Sequence, residues 1–303
     1  VCIVLMAILT AIYVIAGGYM ATAINDFIQG IIMLFGICAV IGAVLMDNGG
    51  LLKATQKLSA VPSEGWTGGA FTSFLGPDQL ALLFVVILTS LGTWGLPQMV
   101  QKFYAIKSEK AVKTGTIVST FFAVIVAGGC YFLGGFGRLT AGSVETKPDG
   151  SIIYDSVIPT MIQNLPEILI AVVVILVLSA SMSTLSSLVL TSSSTLTLDF
   201  IKGTVVKNFS EKKQMITMRV LVVVFIAISA IIAVVQYKSS VTFIAQLMGI
   251  SWGALAGAFL APFLYSLYWK KTTKSGCWAS FIFGAGTMIL VMLCPQIFPA
   301  VLQ

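Results

Sequence analysis

The chain has 303 residues, of which 58% are hydrophobic and only 9% are charged, and its formal net charge is +6. Soluble domains and disordered chains carry many more charged residues, so this composition excludes both classes. The absence of histidine argues against a histidine proton relay, and the five scattered cysteines form no CxxC motif. The composition therefore predicts an all-α, polytopic transmembrane helical bundle.

Eight apolar segments, most of them near the roughly 20 residues that a bilayer helix needs, are the predicted membrane spans. They cover residues 1–15, 27–46, 79–101, 114–136, 168–197, 220–236, 241–269 and 276–294. The first span starts at Val1 without an initiator methionine, and we interpret the chain as cut at its N-terminus. The two longest links contain glycine, proline and mixed charge, and short helices are expected in both. These links are residues 47–78 and 137–167.

The basic residues favour one side of the membrane. Twelve of the 17 lysines and arginines lie in alternate links, at residues 16–26, 102–113, 199–219 and 270–275. Because basic residues are enriched in cytoplasmic loops, these links are predicted to be cytoplasmic. The chain is then a multi-pass cell-membrane protein with both its Val1 and its Gln303 end outside. The enrichment of basic residues in cytoplasmic loops explains the positive net charge better than binding to nucleic acid does.

Asp26 lies just before the second predicted span. It is interpreted either as the N-cap of that helix or as an acid at an inner vestibule that attracts a departing cation. Asp199, which follows the fifth span, has the same ambiguity and is interpreted as a boundary residue.

The third span contains two glycines and a proline within the segment TSLGTWGLPQ, residues 89–98. Pro97 removes one backbone hydrogen bond and crowds the carbonyl of Thr93, which weakens the helix. Spacing by four predicts that Ser90, Trp94 and Gln98 share a face, which would suit a small-solute site. The alternative is a proline kink near the membrane interface with Trp94 as an anchor.

The fifth span ends in hydroxyl residues, since 12 of the 19 residues from Ser179 to Thr197 are serine or threonine. Helical spacing places Ala180, Thr184, Ser187 and Thr191 on one stripe, with Ser183 beside it. Neutral oxygens inside a bilayer suit a monovalent cation that sheds its water. The alternative is helix packing, because small and hydroxyl residues let membrane helices approach closely.

The seventh span carries Gly249, Gly253 and Gly257, followed by Ala261 and Pro262. Small residues at every fourth position form a ridge against which a neighbouring helix packs. We interpret this ridge first as a packing surface for a neighbouring helix. A role in gating would be combined with that packing and would not replace it.

Ionisable and catalytic groups are missing from the predicted spans. The full-length spans hold no Asp, Glu, Lys or Arg, whereas proton-driven carriers usually keep a carboxylate or histidine at membrane depth. Sodium is therefore favoured over protons as the coupling ion, and no other cofactor is expected. The chain shows no nucleophile–base pair, phosphate loop or Cys/His cluster, so it is not predicted to be an enzyme.

Three sequence blocks resemble the sodium:solute symporter family, whose members include sodium/proline, sodium/pantothenate and sodium/glucose carriers. They are GGYMATAINDFIQ at residues 17–29, GTWGLPQMVQKF at 92–103 and ASMSTLSSLVLTSSSTLTLD at 180–199. The resemblance extends over essentially the whole chain. It implies a leucine-transporter-type core of two inverted repeats, in which residues 1–303 form one incomplete transporter domain. The spans then resemble core helices four to ten and one flanking helix.

The same resemblance implies roles for single residues. The family's sodium site is shared between core helices one and eight, which implies the Ala180 carbonyl and the Ser183 and Thr184 hydroxyls as sodium ligands. Asp26 matches an acid implicated in cytoplasmic sodium release. Thr93 stands where the family often has a gating aromatic residue, and Asn25 stands where threonine is usual.

The sequence as a whole predicts a sodium-coupled symporter that imports a small organic solute by alternating access. Proline, another amino acid or pantothenate are the leading solutes, and the other partners are sodium and the lipid bilayer, with no nucleic acid. One alternative is a sensory membrane module of the same fold, which a kinase-like region after Gln303 would support. Another is a channel, which would need a continuous polar stripe, whereas the hydroxyls occupy one half of the fifth span.

Overall fold

The computed structural model describes residues 2–63, 65–146, 152–163, 165–206, 208–239 and 244–293, with side chains described for all of these except 141, 142, 238, 239 and 244–246. These residues form ten α-helices and no β-strand. The helices are α1 (Cys2–Asp47), α2 (Leu51–Ser59), α3 (Gln79–Ser90), α4 (Pro97–Phe103), α5 (Glu109–Phe136), α6 (Val157–Ile162), α7 (Glu167–Ser194), α8 (Glu211–Ser239), α9 (Ile244–Tyr268) and α10 (Lys274–Leu293).

Six helices of the described residues are long and apolar enough to cross a membrane, and the bent pair formed by α3 and α4 makes up to seven. Large apolar side chains point outward from these helices. Ile117, Ile168 and Phe283 are each more than 70% exposed, as expected of residues that face lipid. The predicted all-α membrane bundle is confirmed. The first two of the eight predicted spans lie on either side of a break within α1, which is counted once among these helices.

A sharp break at Gly18 divides α1. The predicted link at residues 16–26 is helical apart from this residue, whose φ of 55° and ψ of −147° leave the helical region. Only glycine adopts this backbone conformation readily, because it has no Cβ. The Thr22 hydroxyl donates to the Gly18 carbonyl at 2.8 Å, just after the break. The two predicted spans thus become the first half of α1 (residues 2–17) and its second half (residues 19–47).

The described residues fall into two compact units, one made of residues 2–61 and 109–239 and the other of residues 62–108 and 244–293. In the first unit, α1 packs against α5, α7 and α8, and α7 packs against α8. An aliphatic cluster lies in the buried part of this packing. It consists of Val14, Val189, Val222 and Ile226, each less than 5% exposed.

In the second unit, α9 lies along α10 and against the turn at residues 92–95. This turn is a 3-10 helix between α3 and α4. A Cβ atom added at Gly95 would lie 2.6 Å from the backbone nitrogen of Leu260. The glycine therefore lets the turn and α9 come into backbone contact.

Both long links contain short helices, as expected. The first holds α2, and the second holds α6 together with 3-10 turns at Gly137–Ser143 and Tyr154–Ser156. Beyond Ser194, α7 continues as a π-helix from Thr195 to Val205. Asp199, predicted as a boundary residue, lies inside this π-helical extension. π-Helical segments are rare and are often found at functional positions.

Candidate functional site

The hydroxyl side chains of α7 fall into two groups. Ser186 and Ser193 are fully buried, whereas Ser183 is half-buried and Thr184 is exposed. The Ser193 hydroxyl donates to the Val189 carbonyl at 2.6 Å, so it is satisfied within its own helix. Helix packing therefore accounts for the buried group. It does not account for the exposed Thr184, and Ser183 is only half-buried.

The three residues implied as sodium ligands lie within one turn of α7. The Thr184 hydroxyl donates to the Ala180 carbonyl at 3.0 Å, and the Ser183 carbonyl accepts from the Ser186 hydroxyl at 3.0 Å. A hydroxyl has one hydrogen to donate and two lone pairs. Thr184 can therefore hold its bond to Ala180 and still offer a lone pair to a cation.

Both halves of α1 reach this stretch of α7. From the first half, the Tyr13 hydroxyl donates to the Met182 carbonyl at 3.1 Å. From the second half, Asp26 accepts a hydrogen bond from the Ser187 hydroxyl, with 3.4 Å between Oγ and Oδ2. The break at Gly18 makes this possible, because it returns the chain to α7 a second time. The structure thus brings Asp26 and the hydroxyl stripe together.

The N-cap interpretation of Asp26 is wrong. Helical backbone extends from residue 19 to Asp47, so Asp26 lies two turns inside the second half of α1. The half-buried carboxylate has Ser187 as a partner and does not cap a helix end. An acid within an apolar helix is costly in a membrane and usually marks a functional position.

The predicted common face of Ser90, Trp94 and Gln98 is wrong, because it assumed a continuous helix. Helix α3 ends at Ser90, and α4 begins at Pro97 after a bend of 51°. Pro97 occupies the first turn of α4, where its missing N–H costs nothing. The Thr93 carbonyl is not left free either, since it accepts the N–H of Leu96 at 3.2 Å.

The broken span still places polar and aromatic groups around its turn. The Trp94 side chain is 54% exposed, whereas Leu96 is 1% exposed and anchors the turn in the second unit. Ser90 is exposed, and Thr93, Pro97 and Gln98 are half-buried. The second unit therefore holds all five residues predicted for the solute site, and the first unit holds the hydroxyl stripe.

The glycine ridge of α9 packs on α10 at two of its three positions. A Cβ at Gly253 would lie 2.9 Å from Met288 Cε, and one at Gly257 would lie 3.0 Å from the Cα of Gly284. Around Gly249, a Cβ would meet nothing within 4 Å among the described residues. The packing interpretation thus holds for Gly253 and Gly257.

Sequence reasoning missed two polar residues of α1 that lie at this contact. Tyr13 was hidden in an apolar span, and its hydroxyl reaches α7. Gln29 was included in a motif without a role, yet it is 5% exposed. The signal for Gln29 was its spacing of seven from Thr22 and from Gly36, which are also buried.

Known proteins similar to this chain are membrane symporters rather than enzymes. The sodium/pantothenate symporter of Haemophilus influenzae is 28% identical over 288 residues, which cover 95% of this chain and 57% of that protein. The sodium/proline symporter of the same organism is 30% identical over 289 residues, covering 92% and 55% respectively. The high-affinity proline transporter PutP of Bacillus subtilis is 27% identical over 287 residues, covering 92% and 56%. The chain spans about half the length of these relatives.

A family model covers most of the chain. It matches residues 1–284 and is described as the sodium:solute symporter family. This match includes all three sequence blocks, the broken α1, the bent pair of α3 and α4, and the hydroxyl helix α7. The membrane-spanning helices, the similar transporters and this match agree, and the chain belongs to the sodium:solute symporter family.

Proposed function

We propose that the protein containing this chain is a sodium-coupled symporter that imports a small organic solute by alternating access. The observation that carries the proposal is the contact between Asp26 of α1 and the hydroxyl helix α7, which sets an acid beside neutral oxygens in an apolar setting. Sodium entering through 100 mV supplies about 2.3 kcal/mol per charge before any concentration difference. Coupling requires that sodium binds the outward-open state preferentially.

In this proposal the Ala180 carbonyl and the Ser183 and Thr184 hydroxyls are sodium ligands. Their position within one helical turn supports it, as does the exposure of Thr184 away from the aliphatic cluster. Three neutral oxygens are fewer than the roughly six that hard cations usually take. By the family resemblance, core helix one would supply the others.

Asp26 is proposed to assist sodium release. Its carboxylate lies against Ser187, one turn along α7 from Ser183 and Thr184. A negative charge at this distance attracts a cation that leaves the hydroxyl ligands, and it lowers the barrier to the departure of the cation.

The turn between α3 and α4 is proposed as the solute site and gate. Transporters commonly build such sites from discontinuous membrane helices. The glycines of α9 that contact α10 would let this region move as neighbouring helices slide. The proposed residues are Ser90, Thr93, Trp94, Pro97 and Gln98.

Proline and pantothenate are the first solutes to test, because the relatives are named for them. The experiment is uptake of labelled proline, pantothenate and other amino acids into proteoliposomes that contain the full-length protein, with and without a sodium gradient. Uptake that depends on the gradient supports the proposal. A channel would instead give uptake that only follows the solute gradient, and a sensory module would give solute binding without uptake.

A further inference from the structure

Gln29 is a buried amide with an unused acceptor at the contact between α1 and α7. Its side chain is 5% exposed, and Oε1 has no hydrogen-bond partner among the described residues. Thr22, Gln29 and Gly36 are all buried and recur every seven residues, so they share one face of α1. This face meets α7, since a Cβ at Gly36 would lie 2.8 Å from Leu176 Cδ1.

The register of the two helices sets the level of Gln29. Asp26 pairs with Ser187, and Gly36 contacts Leu176. From the first of these contacts to the second, the residue number rises by ten on α1 and falls by eleven on α7. The two helices are therefore antiparallel. Gln29 lies three residues after Asp26, which corresponds to three or four residues before Ser187. These are Thr184 and Ser183.

A hydroxyl that ligates a cation needs an acceptor for its hydrogen. The lone pair of the hydroxyl oxygen points to the cation, so the O–H bond must point away from the cation. Thr184 has such an acceptor in the Ala180 carbonyl. Within the described part of the chain, no hydrogen bond is donated by the Ser183 hydroxyl. Gln29 has the complementary group, because a buried carbonyl oxygen without a donor is costly.

We propose that Gln29 is a positioning residue that accepts the hydroxyl hydrogen of Ser183 when Ser183 ligates sodium. The proposal rests on the sodium site proposed above. The bond would orient the Ser183 lone pair toward the cation and satisfy the amide oxygen at the same time. Gln29 would then raise sodium affinity without touching sodium or the solute.

The test measures sodium-dependent uptake by the full-length protein with Gln29→Met and Gln29→Glu. Methionine is similar in length and has no strong acceptor, so the sodium concentration for half-maximal uptake should rise about tenfold, as for a lost hydrogen bond to a charged site. The KM for the solute at saturating sodium should stay near the parent value. Glutamate keeps an acceptor oxygen and adds negative charge, so its half-saturating sodium concentration should be at or below that of the parent. Gln56→Met, at an exposed position of α2, is the matched control.

A double-mutant cycle with Ser183→Ala separates this inference from the sodium site itself. If Gln29 acts through Ser183, then Gln29→Met should add nothing to the effect of Ser183→Ala. Additive effects, or a normal sodium dependence in Gln29→Met while Ser183→Ala is impaired, would overturn the role of Gln29 alone. A normal sodium dependence in Ser183→Ala would overturn the sodium site.

Membrane abundance is measured for every variant. If Gln29→Met does not reach the membrane, Gln29→Ala tests the same loss with the best helix former. Absence of both variants from the membrane would show that the amide serves folding, and the positioning role would be wrong.

Discussion

Ser183 and Thr184 are neighbours on α7 whose hydroxyls are used differently. Thr184 is exposed and bonded to Ala180, whereas Ser183 is half-buried and lies four residues from Ser187 and seven from Leu176, which both contact α1. Neither belongs to the aliphatic cluster around Val189. Their removal should therefore disturb ion binding more than folding, which makes the pair suitable for a direct test.

Replacing both Ser183 and Thr184 with alanine should raise the half-saturating sodium concentration of uptake at least about tenfold. Each interaction of a polar group with a charge contributes roughly 1.5–3 kcal/mol, so the loss of two is large. Alanine keeps the helix intact, and membrane abundance should be normal. The control is Ser192→Ala, an exposed hydroxyl eight residues further along α7. If sodium dependence is unchanged in the double variant, these hydroxyls serve packing alone.

Asp26→Asn should lower turnover about tenfold or more while leaving solute affinity nearly unchanged. The amide oxygen of asparagine still accepts from Ser187, so the variant removes charge and little else. A tenfold loss of rate corresponds to about 1.4 kcal/mol in the barrier. Initial rates and KM for the solute are measured in proteoliposomes. The control is Asp78→Asn at the N-cap of α3, where asparagine caps equally well. Equal kinetics for Asp26→Asn and the parent protein would refute the role of Asp26 in sodium release.

Helix α1 shows what an amphipathic or apolar pattern can and cannot predict. Its sequence predicts two apolar spans with a link at residues 16–26 between them. The structure instead continues the helix on both sides of a single glycine. Sequence patterns locate apolar runs well, but they do not show whether a pair of glycines ends a helix or only bends it.

Gly18→Ala should destabilise the protein by about 1–3 kcal/mol, because alanine must adopt a backbone conformation that a Cβ disfavours. Gly42→Ala is the control on the same helix, since a Cβ there meets nothing within 4 Å among the described residues. Thermal stability in detergent is measured for the full-length protein. The role of Gly18 would be wrong if the two variants melted at the same temperature.

The third span illustrates a second limit of sequence reasoning. Its glycines and proline correctly indicated a weakened helix, and the bend of 51° lies there. The shared face of Trp94 and Gln98 was wrong because helical periodicity does not extend across a change of helix axis. In contrast, Ala180, Ser183 and Thr184 lie in a continuous stretch of α7, so regular helical spacing applies to them.

At the scale of the whole molecule, the chain is a multi-pass membrane protein with two compact units built from interleaved parts of the sequence. Residues 62–108 of the second unit are inserted between two parts of the first. Local periodicity contains no information on such pairing, because it depends on which helices pack together. This is why the two units could not be predicted from the sequence pattern.

The orientation of the chain remains a prediction, and single-cysteine labelling tests it. In a cysteine-free background, Gln56→Cys in α2 should react with a membrane-impermeant maleimide in intact cells, because its link is predicted to be outside. Lys110→Cys at the start of α5 should react only after the membrane is opened. Both positions are exposed, so access to the thiol depends on the side of the membrane. The reverse labelling pattern would invert the assigned topology. Normal solute uptake by each cysteine variant is the check that it is folded.

The contact between Gly257 and Gly284 limits how this protein can change over evolution. A Cβ at Gly284 would lie 2.2 Å from the carbonyl carbon of Gly257, and the atoms on both sides are backbone. No rotamer change can relieve such an overlap, and Gly257 has no side chain that a second mutation could shorten. Any side chain at position 284 must therefore push the backbones of α9 and α10 apart, so exchange of this glycine changes the spacing of the two helices and not only a side-chain packing.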